Sequence, residues 1–276
     1  MNNFAWVHRV GRAARLGAVV LLVLARPVSA LEIIGHRGAS SDAPENTLAA
    51  FKLAYAQGAD AVELDVYLTK DDQLIIVHDD STLRTTGVDW KPREHTLAEL
   101  RTLEAGQWGR WKGRGFTEKL PTLDEALAIV PAGKQVVIHI KVGREILSEL
   151  DRAIVRSRIK WGQVILICFD FEVTKQAKAK MPKSTVLWLV GWGKDGSGHY
   201  PNAGWLVEKT VGAKIDGVDL DFHWPITADV VRNLKESRLE VFTWTVDDPS
   251  IAKQEADAGV AGITTDRPGW LREQLR

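Results

Sequence analysis

The stretch Ala61-Val-Glu-Leu-Asp-Val-Tyr67 sets the fold prediction, because it combines a short apolar run with two acidic residues. Its β-branched, apolar composition is typical of a buried strand. Glu63 and Asp65 are two residues apart, so both carboxylates point to the same side of that strand. In a barrel that side can be the interior, where an unpaired carboxylate is very costly. A metal ion is the simplest partner for them, and salt bridges to Arg37 or Lys141 are the alternative.

Similar runs recur along the chain and alternate with longer amphipathic stretches, which predicts parallel strands covered by helices. The predicted strands are Glu32–His36, Ala61–Tyr67, Gln135–Lys141, Val164–Phe169, Thr185–Val190, Gly217–Leu220, Glu240–Thr245 and Gly262–Thr264. The predicted helices are Thr47–Gln57, Thr122–Ile129, Arg144–Ser157, Val173–Ala179, Pro201–Val211, Thr227–Lys235, Pro249–Ala258 and Pro268–Leu275. Eight strand–helix alternations in about 245 residues favour an α/β fold of the closed (β/α)8 TIM-barrel type over an open doubly wound sheet.

Two segments interrupt this alternation after the second strand. Gln73–His78 is predicted as an extra short strand that pairs with the strand before it. Residues 79–119 have no barrel role in the pattern, and insertions of this kind usually lie over one face of a barrel. The predicted organisation is one barrel over residues 31–276 with an inserted flap over about residues 79–119.

The first thirty residues have the pattern of a secretory signal peptide. A basic region reaches Arg15, a short apolar run covers Gly17–Ala25, and Val28-Ser29-Ala30 has small residues where signal peptidase needs them. The apolar run is far shorter than the roughly 20 residues that cross a bilayer. The sequence therefore predicts cleavage after Ala30 and a secreted or periplasmic protein with no stable membrane span. An uncleaved N-terminal helix is the alternative.

Charge and cysteine content exclude several other classes of protein. The chain has 36 basic and 36 acidic residues, and removal of the first thirty takes away four arginines and no acid. The acidic remainder argues against a protein that coats nucleic acid or anionic lipid. Cys168 is the single cysteine, so no disulfide forms within the chain. The sequence indicates no oligomeric state.

Polar side chains gather where the predicted strands end, which is where catalytic residues lie in a TIM barrel. They are His36 and Arg37 after the first strand, His78 after the extra strand, His139 and Lys141 at the third, and Trp244 at the seventh. Two histidines can act as acid and base near neutral pH, and two carboxylates can hold a divalent cation. Arginine and lysine can receive an anion. This inventory fits metal-assisted phosphodiester cleavage, although histidines bonded within loops are the alternative for His36 and His78.

A series of short blocks carries a family resemblance over nearly all of the chain after residue 30. The blocks are His36-Arg37-Gly38, Pro44-Glu45-Asn46-Thr47, Gly58-Ala59-Asp60, Glu63-Leu64-Asp65-Val66, His78-Asp79, Leu83-Arg84-Thr85-Thr86-Gly87, Pro121-Thr122-Leu123, Trp244-Thr245-Val246 and Thr265-Asp266-Arg267-Pro268. In these blocks and their order the sequence resembles the bacterial glycerophosphodiester phosphodiesterases, which are barrels related to phosphatidylinositol-type phospholipases. The resemblance implies metal-dependent hydrolysis of a small-molecule glycerophosphodiester to glycerol 3-phosphate and an alcohol.

The resemblance also implies roles for single residues. His36 and His78 would form the acid/base pair, one activating the attacking oxygen and the other protonating the leaving alcohol. Glu63 and Asp65 would be ligands of one divalent metal ion, with Glu45 reaching that ion or its shell.

Three further positions would act on the substrate. Arg37 would hold the phosphate oxygens, and Lys141 would add positive charge opposite the metal. Trp244 would line the pocket and pack against the glycerol or the leaving group, with plain barrel-end packing as the alternative. In this family the attacking oxygen can be the substrate's own neighbouring hydroxyl, which gives a cyclic phosphate that water then opens, and the sequence leaves that route open.

One position departs from the family pattern. Where the family usually has Glu-x-Lys at the end of the third strand, this chain has His139-Ile140-Lys141. If the ligand is lost, the remaining oxygen ligands suit Mg²⁺ or Ca²⁺. We favour retained binding by His139, and an imidazole ligand shifts the preference towards Mn²⁺, Zn²⁺, Co²⁺ or Fe²⁺.

Two other functions are kept as alternatives. Trp90, Trp108, Trp111, Trp188 and Trp192 fall in the insertion and around the fifth strand, where aromatic surface near a pocket mouth could accept an acyl chain. This pattern favours a lysophospholipase D-like activity on amphipathic diesters, unless these side chains pack the flap onto the barrel. The replacement at His139 is the only feature that supports a barrel that binds phosphate esters without catalysis. The presence of both acid/base histidines, of Arg37 and of the two carboxylates argues against that alternative.

Overall fold

The computed structural model describes Met1 and residues 31–193 and 201–276. The predicted signal peptide therefore lies, Met1 apart, outside the described residues. A search of the described ranges for a helix both long and apolar enough to cross a bilayer finds none.

Eight parallel strands close into a barrel within the described part of the chain. They are β1 (Glu32–Gly35), β2 (Ala61–Leu68), β4 (Gln135–Ile140), β5 (Val164–Cys168), β6 (Thr185–Val190), β7 (Gly217–Asp221), β8 (Glu240–Trp244) and β9 (Gly262–Thr265), each paired with the next. Ile34 of β1 pairs with Ala61 on one side and with Thr264 on the other, which closes the ring. The extra strand β3 (Leu74–Ile76) pairs antiparallel with β2. The predicted TIM barrel is thus confirmed.

Most of the helices follow the barrel strands and cover the outside of the sheet, and two short ones lie in the insertion after β3. The helices are α1 (Leu48–Ala56), α2 (Leu83–Thr86), α3 (Leu97–Leu100), α4 (Leu123–Ala128), α5 (Leu147–Ser157), α6 (Phe171–Lys180), α7 (Ala203–Gly212), α8 (Ala228–Glu236), α9 (Pro249–Ala258) and α10 (Pro268–Gln274). Short polar side chains begin several of them, because a side-chain oxygen satisfies a free N–H of the first turn. Thr47 accepts from Ala50 at the start of α1, and Thr122 forms a capping box with Glu125 at the start of α4.

Alternate residues of the barrel strands fill the interior with apolar side chains. This interior cluster contains Ile34, Ala61, Val137, Ile165, Ile167, Leu187, Leu189 and Phe242. Two larger clusters lie between the sheet and the helices. Because the interior is packed and not hollow, polar groups that point inward have to find partners at the end of the barrel.

The insertion after β3 forms its own small apolar cluster against that strand. Ile75 and Val77 pack there with Leu100, Leu103 and Leu120. The segment contains the short helices α2 and α3, so it has more local structure than its sequence pattern predicted. It also reaches the loop after β1, where Arg110 donates a 2.7 Å hydrogen bond to the carbonyl of Ser40.

Gly38 lies where the loop after β1 crosses α1, and we expect Gly38→Ala to destabilise the fold. Its φ of +87° is in the left-handed region, and an added Cβ would lie 2.6 Å from the backbone carbon of Ala50. The left-handed strain and the overlap together predict a loss of about 2–4 kcal/mol in the free energy of unfolding. Urea denaturation measures it. Gly162→Ala is the matched control, because a Cβ at Gly162 has no other atom within 4 Å. Equal stability of the two variants would contradict the packing described for Gly38.

Candidate active site

The candidate active site is a cavity at the carboxyl ends of the barrel strands. It is lined by His36, Arg37, Glu63, Asp65, His78, His139, Ile167, Phe169, Leu189, Asp219, Trp244, Thr245 and Thr264. Most of the charged members were predicted from the strand ends, and the structure brings them to one cavity. Lys141 lies just behind it, with its Nζ 3.4 Å from Asp65 Oδ1.

Three side chains with metal-ligating atoms meet on one side of this cavity. One such atom from each of Glu63, Asp65 and His139 lies within 4.8 Å of the other two, and all three residues are buried. The register of β4 on β2 sets Asp65 opposite His139, which places the imidazole beside both carboxylates. His139 Nδ1 lies 2.9 Å from Asp65 Oδ1 and 3.6 Å from Glu63 Oε1.

The chemistry of these three side chains fits a divalent cation. Asp65 Oδ1 is buried and accepts no hydrogen bond of good geometry, so its electron pairs are available to an ion. Burial opposes a positive charge on His139, yet the adjacent Asp65 and Glu63 outweigh burial and raise its pKa. Surroundings that stabilise a positive charge on the imidazole also stabilise the charge of a bound ion.

Other groups around the two carboxylates hold them in place. Asn46 Nδ2 donates to Asp65 Oδ2 at 2.8 Å, and the backbone N–H of Arg37 donates to Glu63 Oε2 at 2.9 Å. Arg37 Nε and Lys141 Nζ lie 3.5 and 3.4 Å from Asp65. The salt bridges considered as the alternative to a metal are therefore present at Asp65, and they leave its Oδ1 without a hydrogen bond.

The loop between β1 and α1 adopts a strained conformation to provide these contacts. Arg37 and Asn46 both have left-handed backbones, with φ of 53° and 55°. A non-glycine residue in this region persists only where its surroundings fix it. Here the fixing contacts are the bonds that Arg37 and Asn46 make to the β2 carboxylates.

Glu45 contacts arginines and lies outside the group formed by Glu63, Asp65 and His139. Its Oε1 accepts from Arg37 Nη1 at 2.9 Å and from Arg84 Nη2 at 2.7 Å, and its Oε2 accepts from Arg84 Nη1 at 2.8 Å. Arg84 was not singled out for the site from the sequence, although it stands in one of the blocks that carry the resemblance. The metal-binding role of Glu45 stays a prediction; its observed contacts position Arg37.

His36 and His78, two of the three histidines that line the cavity, are each bonded to a carboxylate through Nδ1. His36 Nδ1 lies 2.7 Å from Asp266 Oδ1, and His78 Nδ1 lies 2.6 Å from Asp79 Oδ1. An ionised carboxylate only accepts, so in each pair Nδ1 carries a proton and Nε2 remains for a reacting group. No role was predicted for Asp266, since its place beside His36 depends on β9 lying next to β1.

The surroundings shift the pKa values of these histidines in opposite directions. Burial opposes a charge on His36, but the hydrogen bond with Asp266 contributes to a net rise of its pKa. Burial lowers the pKa of His78, and the nearby Asp65 offsets this only in part. A pair of titratable groups whose pKa values are pushed apart is suited to act as one acid and one base.

Aromatic side chains form part of the cavity wall. Trp244 Nε1 donates to the backbone oxygen of Asp219 at 3.2 Å, which fixes the indole at the end of β8. Phe169 contacts both Trp244 and His139 edge to face, with ring centroids 5.6 Å apart in each case. Phe169 is 49 % exposed, so an apolar surface borders the opening.

The other tryptophans mostly pack against the protein. Trp90 stacks on His95, Trp111 and Trp188 are buried, and Trp192 contacts Trp224. Trp108 lines a second cavity beside the first, together with Glu45 and Asp266. Among the five tryptophans considered, Trp108 and the buried Trp111 line this second cavity, and Phe169 is the exposed aromatic ring at the first one.

Asp219 is a cavity residue that was not predicted from the sequence. It lies on β7 between Leu189 and Phe242 in the sheet and is 1 % exposed. Burial is the main cause that raises its pKa to about 8. An acidic residue in an apolar strand run is the same signal that identified Glu63 and Asp65, so that signal could have found it.

Comparisons with known proteins confirm the family resemblance. The model of a family described as the glycerophosphoryl diester phosphodiesterase family matches residues 36–270. A glycerophosphodiester phosphodiesterase from Caldanaerobacter subterraneus subsp. tengcongensis is 32 % identical over 250 residues, which are 88 % of this chain and 97 % of the relative.

Solved structures share the fold over most of the chain. A phosphodiesterase from Oleispira antarctica, in complex with the product sn-glycerol-3-phosphate, is 27 % identical with a TM-score of 0.78, and the match covers 88 % of this chain and 96 % of that one. A glycerophosphodiester phosphodiesterase from Thermotoga maritima is 26 % identical with a TM-score of 0.71, covering 89 % of this chain and 98 % of that one.

Proposed function

The chain belongs to the glycerophosphoryl diester phosphodiesterase family, and from that premise we propose that it hydrolyses glycerophosphodiesters to glycerol 3-phosphate and an alcohol with one divalent cation and two histidines. The observation that carries this proposal is the juxtaposition in one cavity of Glu63, Asp65 and His139 with the histidines His36 and His78.

Glu63, Asp65 and His139 would hold the cation, and the imidazole would set which metal ion the site prefers. A bound divalent ion supplies Lewis-acid stabilisation of charge on phosphate oxygens. Two carboxylates and one nitrogen favour Mn²⁺, Co²⁺ or Zn²⁺ over Mg²⁺ and Ca²⁺.

Arg37 and Lys141 supply the fixed positive charge for an anionic diester. Arg37 lines the cavity and is anchored by Glu45, so its guanidinium is oriented before a substrate arrives. Preorganised donors of this kind stabilise charge that develops in the transition state without reorganisation during the reaction. Trp244 and Phe169 would pack against the glycerol or the leaving alcohol.

The opposite pKa shifts of His36 and His78 indicate which one is the base and which the acid in the step that releases the alcohol. His78, whose pKa is lowered, accepts the proton of the attacking hydroxyl at Nε2, and His36, whose pKa is raised, donates its Nε2 proton to the leaving alcohol oxygen. The attacking oxygen forms the new P–O bond while the bond to the leaving oxygen breaks. Where the attacker is a neighbouring hydroxyl of the substrate, the roles reverse as water opens the cyclic phosphate.

Metal dependence is tested by stripping the protein of metal and resupplying one cation at a time during hydrolysis of glycerophosphocholine. We expect the highest rate with Mn²⁺, Co²⁺ or Zn²⁺. Best activity with Mg²⁺ or Ca²⁺ would remove His139 from the ligand set. Absence of turnover with every cation, with glycerophosphocholine still bound, would favour the non-catalytic binding function.

Removal of either histidine should lower kcat about 10²–10⁴-fold, because each transfers a proton in the transition state. His36→Ala and His78→Ala test this, with His95→Gln in the insertion as the control that keeps full activity. Circular dichroism checks that each variant is folded. Wild-type rates in both alanine variants would contradict the assignment.

The pH profile of kcat/KM separates the two roles. Activity rises as His78 loses its proton and falls as His36 loses its proton, so the profile is bell-shaped. Asp266→Asn removes a carboxylate that raises the pKa of His36 and should move the alkaline limb to lower pH. Asp79→Asn removes a carboxylate that raises the pKa of His78 and should move the acidic limb to lower pH. A shift of the acidic limb by Asp266→Asn would mean that the roles are exchanged.

Amphipathic diesters are the second candidate substrates, and the exposed ring of Phe169 at the opening is the observation that favours them. Rates on glycerophosphocholine and lysophosphatidylcholine compare the two classes. We expect glycerophosphocholine to be preferred and Phe169→Ala to change that preference little. A clear preference for the lipid that Phe169→Ala abolishes would establish the lipid activity instead.

A further inference from the structure

Asp219 is an ionisable side chain in the barrel interior whose Oδ1 has no hydrogen-bond partner among the described residues. The residue is 1 % exposed, and Oδ1 is buried and unbonded. Its sheet neighbours on β6 and β8 are Leu189 and Phe242, both apolar. A carboxyl group in such surroundings destabilises the fold, and an apolar residue of similar size would be less costly. The fold alone therefore gives no reason for an acid at this position.

Asp219 shares a cavity with the three side chains of the metal-ligating group. It lines the cavity that also holds Glu63, Asp65 and His139. After burial, the charge of Glu63 is the largest cause that raises the pKa of Asp219, and His139 acts in the opposite direction. Asp219 therefore lies in the same cavity as that group, on β7, a strand on the other side of the barrel from β2.

The charges around the group call for a further carboxylate. With His139 neutral, only Glu63 and Asp65 carry negative charge in the group of three. The positive charges of Arg37 and Lys141 lie within 3.5 Å of Asp65 and oppose the binding of a metal ion. Binding of a divalent cation is strengthened by each anionic group that faces it.

Neither of the other two carboxylates considered meets this need. Both oxygens of Glu45 are held by Arg37 and Arg84. Glu255 is buried on α9 and accepts from Thr243 Oγ1 at 2.6 Å, and it is not among the residues that line the cavity.

We propose that Asp219 is the third carboxylate of the metal centre and, ionised when the cation binds, supplies from β7 the negative charge that His139 does not supply on β4. This inference rests on the proposed metal site at Glu63, Asp65 and His139. Glu63 and Asp65 on β2 and Asp219 on β7 would then hold the ion from opposite sides of the barrel, and the acidic group that is missing on β4 would be supplied from β7.

Calorimetric titration of the metal-stripped protein with Mn²⁺ tests the proposal. Asp219→Asn should weaken Mn²⁺ binding about 10–100-fold, as removal of a group that supports a metal site does. Glu32→Gln, the matched control, removes a carboxylate that also has a buried oxygen without a hydrogen bond but lies at the start of β1, at the opposite end of the barrel. It should change the affinity less than twofold. In the His139→Glu background, Asp219→Asn should also change the affinity less than twofold, because the acid has returned to β4.

Thermal unfolding gives a second readout that a merely structural role would not reproduce. Metal-free Asp219→Asn should melt at the same temperature as the parent or higher, and Mn²⁺ should raise that temperature less than it does in the parent. A lower melting temperature without metal and an unchanged rise with Mn²⁺ would overturn the proposal. Asp219→Ser provides the same comparison if the asparagine variant does not fold.

The outcomes for the parent protein separate this inference from the proposed function. No Mn²⁺ binding by the parent would overturn the metal site and this inference with it. Binding by the parent that Asp219→Asn and Asp219→Ser leave unchanged would overturn only the role of Asp219.

Discussion

The burial of two negative charges on one strand is the constraint on which the rest of the site depends. Glu63 and Asp65 are 2 % and 1 % exposed, and charges at such depth persist only with compensating partners. Those partners come from separate parts of the chain: a backbone N–H and a guanidinium from Arg37, an amide from Asn46, an ammonium from Lys141. The strained loop after β1 is a consequence of this need, since it turns two of these groups towards β2.

Much of this arrangement could be predicted from the sequence because its signals are local. Strands and helices follow from the alternation of apolar runs with amphipathic stretches, and two-residue spacing within a strand decides which side chains share a face. The ends of parallel strands meet at one end of a barrel. Glu63, Asp65, His139, His36 and His78 could therefore be expected together from the residue pattern alone.

The features of the site that could not be predicted from the sequence mostly depend on contacts between distant segments. Asp266 orients His36 only because β9 pairs with β1, and no local pattern indicates which acid bonds which histidine. Glu45 is oriented by Arg84 of the insertion. The insertion has no periodic pattern of apolar residues from which its path over the barrel could be predicted. Asp219 is a different case, because its signal is local. Like Glu63 in β2, it is an acidic residue inside an apolar strand run, so the rule that found Glu63 could have found it.

Arg84 joins two halves of the site that lie in different parts of the chain. It binds Glu45, which orients Arg37, and it binds Asp79, which orients His78. The flap and the barrel are therefore interlocked and not exchangeable modules. A foreign segment in place of the insertion would have to supply both an acid that orients His78 and an arginine that reaches Glu45. Divergence of this segment is accordingly restricted at Asp79 and Arg84, because a change at either one loosens a group on the barrel side of the site.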